Sequence, residues 1–261
     1  MSFDLMKIFD FNDLRQKSVL ISGASSGIGY ELALLLRPLV AKLYVTARRK
    51  ENLTRLCQEG YQEKVIPLAG DIRQPLFLQH LAQEGALDVD ILINNAGLAK
   101  GLANTWEADM RHWEEMIDTN IKAAFLLTKS VVPYMLKRQQ GHIVHLTSVA
   151  SHVAYAKGGV YCATKHALLA FSKSLRSELC AHNIRVTNIS PGMTETEFSL
   201  VRFDGDAKKA DAVYDGLRPL SGLDVARQIL FCLLQQDHVN IDEIYLTPLA
   251  QGEVGKVHRN S

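Results

Sequence analysis

Two residues whose side chains can do acid–base chemistry lie one helical turn apart near the middle of the chain. Tyr161 and Lys165 fall in the stretch GVYCATKHALLAF, and side chains four residues apart are neighbours on one helix face. An ammonium beside a phenol stabilises the phenolate and lowers the pKa of the tyrosine from about 10. Such a tyrosine could exchange a proton with a carbinol or carbonyl oxygen. The same spacing also occurs in ordinary pairs on a helix surface. Whether this pair is catalytic therefore has to be judged from the other residues predicted near it.

Alternating strand and helix patterns place this pair in a larger fold. Strict alternation predicts right-handed crossovers and a single-domain α/β fold of Rossmann type, a doubly wound parallel sheet of about seven strands with helices on both faces. Ligands in such sheets bind beyond the carboxyl ends of the strands. The predicted strands are 18–22, 42–47, 64–69, 90–96, 142–148, 184–190 and 242–248, and the predicted helices are 27–37, 50–59, 75–85, 106–138, 160–181 and 222–236.

The chain has 261 residues, of which 47% are apolar, enough for a substantial core. We expect residues 1–16 to form an N-terminal extension and residues 17–261 one domain, with a substrate loop at about 193–222. A formal net charge of +1 gives no overall field for nucleic acid or an anionic membrane. The four cysteines show no paired or metal-type spacing, and no leader or membrane span is evident. These features favour a cytoplasmic protein with reduced thiols.

A glycine-rich turn follows the first predicted strand in SGASSGIG. Glycines at this position let the backbone approach a pyrophosphate, and the following helix offers free N–H groups and a favourable dipole. The alternative is a tight turn that uses glycine for packing only. Its position in an alternating chain favours nucleotide binding by Gly23, Ser25, Ser26, Gly27, Ile28 and Gly29.

The second strand ends in YVTARRK, where the adenosine ribose of a dinucleotide would lie. A carboxylate there would hold the 2′-hydroxyl of NAD, whereas Arg48 and Arg49 can bind the 2′-phosphate of NADP with planar guanidinium groups. We therefore expect NADP rather than NAD, against the alternative of a solvated basic turn.

Polar residues also follow the third, fourth and fifth strands. Asp71 would lie beside the adenine or serve only as a helix cap. The NNAG stretch, with Asn95, Ala96 and Gly97, could tie neighbouring loops together and still contact a cofactor. Ser148 ends the fifth strand and should converge with Tyr161 and Lys165 above the sheet. We expect no metal site, because His142 and His145 are three residues apart on a strand and face opposite sides.

These motifs together resemble the short-chain dehydrogenase/reductase family over essentially the whole chain after the extension. The similarity rests on SGASSGIG, NNAG, DTN, Ser148, YCATK and ISPG, in family order and spacing. Ser22 stands where the glycine motif usually begins with threonine, so a hydroxyl is kept.

The resemblance implies a catalytic tetrad. Tyr161 would be the acid/base, Lys165 would lower its pKa and hold the nicotinamide ribose, and Ser148 would hydrogen-bond the reacting oxygen. Asn120 would anchor a water that connects Lys165 to solvent. By the same likeness Pro191, Gly192, Thr194 and Thr196 would contact the cofactor, the last two at its carboxamide.

The C-terminal third resembles a narrower subgroup, the NADP-dependent 3-hydroxy acid dehydrogenases, which include serine and allo-threonine dehydrogenases. The resemblance implies oxidation of a β-hydroxyl on a small carboxylic acid, or reduction of the matching semialdehyde, by a cytosolic homotetramer. A substrate carboxylate needs a cationic partner, and Arg202 in SLVRF is the candidate. A solvated loop arginine or an intersubunit contact would explain that residue equally well.

Two alternatives stay open on sequence alone. A reductase of another carbonyl, such as a ketone, steroid or 3-oxoacyl substrate, would carry the same tetrad. A non-catalytic NADP sensor or scaffold would share the fold, because a fold does not determine a function. Such a protein is expected to have lost part of the tetrad, and all four positions are filled here.

Overall fold

The computed structural model of the chain describes residues 11–58 and 60–259. Its centre is a seven-stranded sheet in the order β3-β2-β1-β4-β5-β6-β9, and every neighbouring pair is parallel. The strands are β1 (Ser18–Ser22), β2 (Lys42–Ala47), β3 (Val65–Ala69), β4 (Ile91–Asn94), β5 (Gly141–Leu146), β6 (Ile184–Pro191) and β9 (Glu243–Leu246).

Helices cover both faces of this sheet, as the alternating pattern predicts. Four short strands lie outside it and form two-stranded pairs. The helices are α1 (Phe11–Leu14), α2 (Gly27–Leu36), α3 (Lys50–Arg55), α4 (Pro75–Gln83), α5 (Met110–Ile117), α6 (Ala124–Arg138), α7 (Gly159–Leu179), α8 (Glu197–Arg202), α9 (Ala207–Ala212) and α10 (Gly222–Leu233), and the short strands are β7 (Thr194–Glu195), β8 (Leu220–Ser221), β10 (Gln251–Glu253) and β11 (Lys256–Val257).

Two apolar clusters, one on each face, hold the helices to the sheet. Successive β1 residues alternate between them: Val19 and Ile21 pack with α2 and α10, and Leu20 packs with α4, α6 and α7. All three side chains are fully buried. Because both faces of a central parallel strand are covered, its sequence is a continuous apolar run. Burial of such side chains contributes about 1.5–3 kcal/mol each.

The order of strands reverses between β1 and β4, which are neighbours in the sheet but are separated in the chain by the two strands β2 and β3. A crevice forms at the carboxyl ends of the strands at such a point, because the helices that follow the two strands lie on opposite faces. The glycine turn after β1 and the NNAG stretch after β4 therefore meet.

The predicted helix over 106–138 is divided in the structure. A 3-10 turn at Thr105–Glu107 precedes α5, and a π-helical segment at Asp118–Ala123 connects α5 to α6. The substrate loop contains α8, α9 and the β7–β8 pair rather than irregular chain alone. Most of the predicted N-terminal extension lies outside the described residues, but Leu14 is buried in the core. Across residues 11–58 and 60–259, the helices lack the length and apolar character needed to cross a membrane.

Candidate active site

A cavity of about 1030 Å³ opens at the carboxyl ends of the strands. Its size is at the upper end for a cofactor and substrate site. Gly29 and Asn120 lie outside its lining. The other predicted site residues all line it, namely Gly23, Ser25, Ser26, Gly27, Ile28, Arg48, Arg49, Asp71, Asn95, Ala96, Gly97, Ser148, Tyr161, Lys165, Pro191, Gly192, Thr194, Thr196 and Arg202.

The glycine turn leaves no room for a side chain at Gly23 or Gly29. Gly23 has φ +69°, and a Cβ there would lie 2.8 Å from the Ala96 Cα. A Cβ on Gly29 would lie 2.4 Å from the Asn95 Nδ2 and 2.6 Å from the Gly23 carbonyl oxygen. Glycine at these positions lets the turn pack against the β4 end with its backbone open to the cavity. This arrangement fits a pyrophosphate.

Hydrogen bonds from the NNAG stretch hold the two sides of the crevice together. The Ser22 hydroxyl accepts from the backbone N–H of Asn95 (3.2 Å) and of Ala96 (3.1 Å). The Asn95 amide donates to the carbonyl oxygens of Ser22 and Gly23, each at 3.0 Å. The serine that replaces the usual threonine therefore supplies its hydroxyl, and Asn95 joins the loops as predicted.

Three arginines lie at the adenosine end of the cavity. Arg48 is exposed, and its closest ion-pair partner among the described residues is Glu115, 4.0 Å away. Arg73, which the sequence reasoning missed, forms a two-pronged ion pair with Asp71 (Nη2–Oδ2 2.6 Å). This hydrogen-bonded pair lowers the pKa of Asp71. The site thus offers cationic groups for a 2′-phosphate, and the Asp71 carboxylate is already held beside the expected adenine position.

The predicted acid–base group forms from β5 and α7. Ser148 begins a 3-10 turn, its hydroxyl accepts from the Ala150 N–H at 3.1 Å, and this hydroxyl lies near enough to Tyr161 to lower the pKa of the phenol. One turn further along α7, the Lys165 ammonium donates to the Leu146 carbonyl oxygen at 2.8 Å. Ser148, Tyr161 and Lys165 are all buried at the cavity wall.

Burial opposes the lowering of the Tyr161 pKa that Lys165 is expected to produce, and that role of Lys165 stays a prediction. Burial raises the pKa of Tyr161 to about 12, against smaller opposing effects of the Ser148 hydrogen bond and the Arg202 charge. The Lys165 Nζ lies 6.0 Å from the centre of the Tyr161 ring and is bound to a backbone carbonyl. Burial also lowers the pKa of Lys165 from 10.5 to about 8. Desolvation therefore dominates both groups.

Asn120 lies in the π-helical segment and is almost fully buried. Its amide donates to the Leu98 carbonyl oxygen (2.8 Å) and the Thr164 hydroxyl (3.0 Å), and its oxygen accepts from the Leu98 N–H (2.9 Å). A Cβ on Gly97 would lie 3.3 Å from the Asn120 Oδ1 and 3.4 Å from the Lys165 Nζ. Asn120 thus connects the loop after β4 to α7 on the side of Lys165. Single-turn π segments of this kind are frequent at functional sites.

Arg202 at the end of α8 lies against the acid–base group. Its guanidinium carbon is 5.2 Å from the centre of the Tyr161 ring and 5.4 Å from that of Phe198. One terminal nitrogen donates to the Tyr155 hydroxyl at 3.0 Å. The Nε is buried and has no hydrogen-bond partner among the described residues. A buried charged donor without a partner is unusual in a protein.

The remaining predicted cofactor residues lie after β6. The Thr194 hydroxyl donates to the Gly192 carbonyl oxygen at 3.1 Å, and the Thr196 hydroxyl caps α8 by accepting from the Phe198 N–H at 3.3 Å. A Cβ on Gly192 would lie 2.3 Å from the Gln251 Oε1, so a larger residue would displace Gln251. Pro191, Gly192, Thr194 and Thr196 thus form part of the cavity wall, and Thr196 packs against Gly27 of the glycine turn.

Several other lining residues were missed from sequence. They lie in the loops after β3 and β5, in the substrate loop and in the C-terminal segment, where no periodic pattern indicates which side chains face inwards. Arg259 donates to the backbone carbonyls of Val213 (3.0 Å) and Asp215, which fastens the C-terminus to the loop. The missed residues include Arg73, Tyr155, Phe198, Tyr214, Gln251 and Arg259.

The two histidines of β5 are buried, and each has a different polar neighbour. His142 Nε2 lies 2.9 Å from the Thr187 hydroxyl, and His145 Nδ1 lies 3.3 Å from the Asn94 amide. Burial lowers the pKa of His145 to about 3 and that of His142 well below 6.5. In the part of the chain that the structure describes, no group of three or more His, Cys, Asp or Glu side chains could hold a metal ion.

Comparisons with known proteins agree with this geometry. An NADP-dependent 3-hydroxy acid dehydrogenase of Schizosaccharomyces pombe is 38% identical over 93% of this chain and 96% of its own length. A serine 3-dehydrogenase of Agrobacterium fabrum is 38% identical over 94% and 99%. A solved structure described as the closed form of serine dehydrogenase complexed with NADP+ superposes with a TM-score of 0.88 at 36% identity, covering 93% of this chain and all of that one. Because the short chain dehydrogenase model also matches residues 17–205, the chain belongs to the short-chain dehydrogenase/reductase family.

Proposed function

We propose that this protein transfers hydride between NADP and the hydroxyl-bearing carbon of a small 3-hydroxy acid, of the serine, allo-threonine or 3-hydroxypropionate type, or the matching semialdehyde. The protein is an NADP-dependent oxidoreductase of its family, and the proposal concerns its substrate. The observation that carries it is the position of Arg202 beside Tyr161, with a buried donor that lacks a partner. Relatives named for 3-hydroxy acids and serine support the same substrate class.

A 3-hydroxy acid matches the spacing of these groups. Its hydroxyl carbon is two bonds from the carboxylate carbon, so a substrate bound through its carboxylate to Arg202 presents the hydroxyl to a group a few ångströms away. Arg202 lies 5.2 Å from the Tyr161 ring centre, and guanidinium groups bind carboxylates through two parallel hydrogen bonds. Arg202 thus binds the acid and Tyr161 receives its hydroxyl.

The residues that would hold NADP are those of the glycine turn, the ARR stretch, Asp71 and the NNAG stretch, together with Pro191, Gly192, Thr194 and Thr196. Their backbone donors and arginines match a dinucleotide that carries a 2′-phosphate. NADP, when bound, supplies the hydride acceptor for oxidation or the hydride donor for reduction.

The predicted tetrad transfers the proton of the substrate hydroxyl. Ser148 is positioned to donate a hydrogen bond to the substrate oxygen, and the Tyr161 hydroxyl takes the proton in oxidation and returns it in reduction. Lys165 uses one of its three donors on the Leu146 carbonyl oxygen and keeps two for the cavity that it lines. Asn120 fixes the loop and helix on which Lys165 depends.

The direct test is nicotinamide absorbance during turnover. NADP and NAD are each offered with serine, allo-threonine, 3-hydroxypropionate and 3-hydroxyisobutyrate, with propan-2-ol as the alcohol that lacks a carboxylate. Reduction of NADP by the hydroxy acids alone is the expected result. Turnover with propan-2-ol only would contradict the substrate class and leave the tetrad intact. Turnover with bulky ketones and NADPH only would favour the broader carbonyl reductase.

Arg202→Met is expected to raise KM for a 3-hydroxy acid about 10- to 100-fold, because a hydrogen bond to a charged group contributes about 1.5–3 kcal/mol. The kcat for reduction of the matching semialdehyde should change less, since Tyr161 and Ser148 remain and the phenol is already protonated. Steady-state kinetics at saturating NADP measure both constants. The matched control is Arg218→Met, an exposed arginine of the same loop that does not line the cavity. An unchanged KM in Arg202→Met would refute carboxylate binding by this residue.

Arg48→Gln is expected to weaken NADP binding about tenfold and to leave NAD binding nearly unchanged, because only NADP carries the 2′-phosphate. Fluorescence titration of the free enzyme with each cofactor measures this ratio. Arg55→Gln on α3, an exposed arginine outside the cavity, controls for the loss of one positive charge. Equal weakening of NADP and NAD would show that Arg48 does not read the 2′-phosphate.

We also propose a cytoplasmic homotetramer. The large helices α6 and α7 are the expected contact faces, and Leu126 and Tyr134 of α6 are exposed apolar side chains of the kind that a second copy covers. The four cysteines are all free, which agrees with a reducing compartment. Light scattering of the purified protein tests the assembly, and a monomer would refute it.

A further inference from the structure

Arg49, the second arginine of the ARR stretch, is already engaged on both sides of its guanidinium. Its Nη2 donates to the Ser26 hydroxyl at 2.7 Å, and its Nε and Nη2 lie 3.3 and 3.2 Å from the Ser25 hydroxyl. Its Nη1 forms an ion pair with the Glu197 Oε2 at 2.7 Å. Arg48, by contrast, has only the distant Glu115 as an ion-pair partner within the described residues. A phosphate that binds Arg49 would therefore meet a guanidinium with a close carboxylate partner, whereas one that binds Arg48 would not.

Glu197 reaches Arg49 from the substrate loop. It is the first residue of α8, and Thr196 just before it packs against the glycine turn, because a Cβ on Gly27 would lie 3.2 Å from the Thr196 Cβ. Glu197 also lines the main cavity. A carboxylate of the substrate loop thus occupies the Nη1 side of the Arg49 guanidinium at the cavity wall.

We propose that Glu197 is a residue that determines cofactor specificity: it competes with the 2′-phosphate for Arg49 and so limits the preference for NADP over NAD. A phosphate monoester carries a charge of about −1.5 to −2 near neutral pH. When it approaches Arg49 it must displace the Glu197 carboxylate from Nη1 or share the guanidinium with it. NAD brings no such charge and leaves the ion pair in place. This inference rests on the proposed binding of NADP at Arg48 and Arg49.

The expected effect is moderate because the pair is partly exposed. The side chains of Arg49 and Glu197 are 48% and 46% accessible, and solvent screens ion pairs of this kind. Removal of the Glu197 carboxylate ends its competition with the 2′-phosphate for Arg49. It also removes the repulsion between that carboxylate and a phosphate that carries almost two negative charges. We expect about a threefold to tenfold gain in affinity for a ligand with a 2′-phosphate, and less than a twofold change for one without it.

Isothermal titration of the full-length apoenzyme with two nucleotides tests this. Adenosine 2′,5′-bisphosphate carries the 2′-phosphate and adenosine 5′-monophosphate lacks it, and neither contains nicotinamide, so the readout is independent of turnover. Glu197→Gln should bind the bisphosphate about three to ten times more tightly than the wild type and leave the monophosphate unchanged. Glu195→Gln is the matched control, since Glu195 is exposed two residues away and does not line the cavity. It should change neither affinity more than twofold.

An Arg49→Met background separates competition from simple repulsion. If Glu197 acts through Arg49, Glu197→Gln should increase the bisphosphate affinity of the Arg49→Met protein by less than it increases that of the wild type. On a logarithmic scale, the gain should be less than half of the gain in the wild type. An unchanged bisphosphate affinity in Glu197→Gln, an equal gain for the monophosphate, or the full gain without Arg49 would each overturn the proposal. A wild-type protein that binds both nucleotides equally would instead refute the 2′-phosphate site, which is the failure of the proposed function.

Discussion

Replacing Tyr161 with phenylalanine is expected to reduce kcat about 10³-fold in both directions. Positioned acid–base groups contribute about 10²- to 10⁴-fold, and Tyr161 is the phenol whose pKa is lowered by the neighbouring Ser148 hydroxyl. The phenylalanine ring retains the edge-to-face contact with Phe198, whose ring centre lies 5.8 Å away. The loss should therefore appear in kcat while KM stays within a few fold, as measured by steady-state kinetics with NADP and a hydroxy acid.

The reason for so large an effect is that Tyr161 holds its proton firmly. With burial raising its pKa to about 12, the phenol is protonated at neutral pH and is ready to protonate an oxygen in reduction. Oxidation needs the phenolate, so its rate depends on the neighbours that stabilise that anion, namely the Ser148 hydrogen bond and the Arg202 charge in this structure. Under the proposed function, Arg202 would act on both the substrate carboxylate and the Tyr161 phenol.

Two measurements make this test specific. Thermal unfolding should show that Tyr161→Phe folds normally, since a single hydrogen bond contributes about 1 kcal/mol. Tyr155→Phe removes another hydroxyl of the same cavity, the one that accepts from Arg202. We expect that variant to raise KM with less than a tenfold fall in kcat. Comparable losses of kcat in the two variants would mean that Tyr161 has no special role in proton transfer.

The sheet could be predicted from sequence because its information is local. Continuous apolar runs such as 18–22 can be buried on both faces only in a parallel sheet, and the helical patterns between them determine the crossovers. The predicted ends of the helices differ from those observed by a few residues; α10, for example, ends at Leu233 rather than at 236. End residues depend on caps and on neighbouring elements, so period alone does not locate them.

The parts that could not be predicted depend on residues distant in the chain. The π segment around Asn120 follows from hydrogen bonds to Leu98 and Thr164, and nothing in the local DTN pattern indicates it. The engagement of Arg49 by Glu197 joins residues 148 positions apart. The pKa of Tyr161 depends on its burial and on Ser148 and Arg202, which are distant from it in the chain. Motif spacing located the site, whereas its electrostatics required the packed structure.

Replacing Lys165 with methionine is expected to stabilise the free enzyme at pH 7 while it abolishes most of the activity. Burial lowers the pKa of Lys165 from 10.5 to about 8, so the folded state carries a penalty for its buried ammonium. Each pKa unit corresponds to about 1.4 kcal/mol, and loss of the bond to the Leu146 carbonyl oxygen offsets part of the gain. We expect the free energy of unfolding to rise by about 1–3 kcal/mol, as measured by chemical denaturation of the apoenzyme. Residues needed for function commonly lower the stability of the folded protein in this way.

The pH dependence of this gain separates a buried charge from better packing. The folded-state pKa lies below the unfolded-state value, so folding is penalised in full below about pH 8 and not at all above about pH 10.5. The advantage of Lys165→Met should therefore be largest at pH 7 and should vanish as the pH rises to 10.5. Lys173→Met, at an exposed lysine two turns further along α7, should change stability by less than about 0.5 kcal/mol at either pH. A Lys165→Met enzyme that is less stable than the wild type at pH 7, or whose advantage persists at pH 10.5, would show that the buried ammonium is not a source of instability.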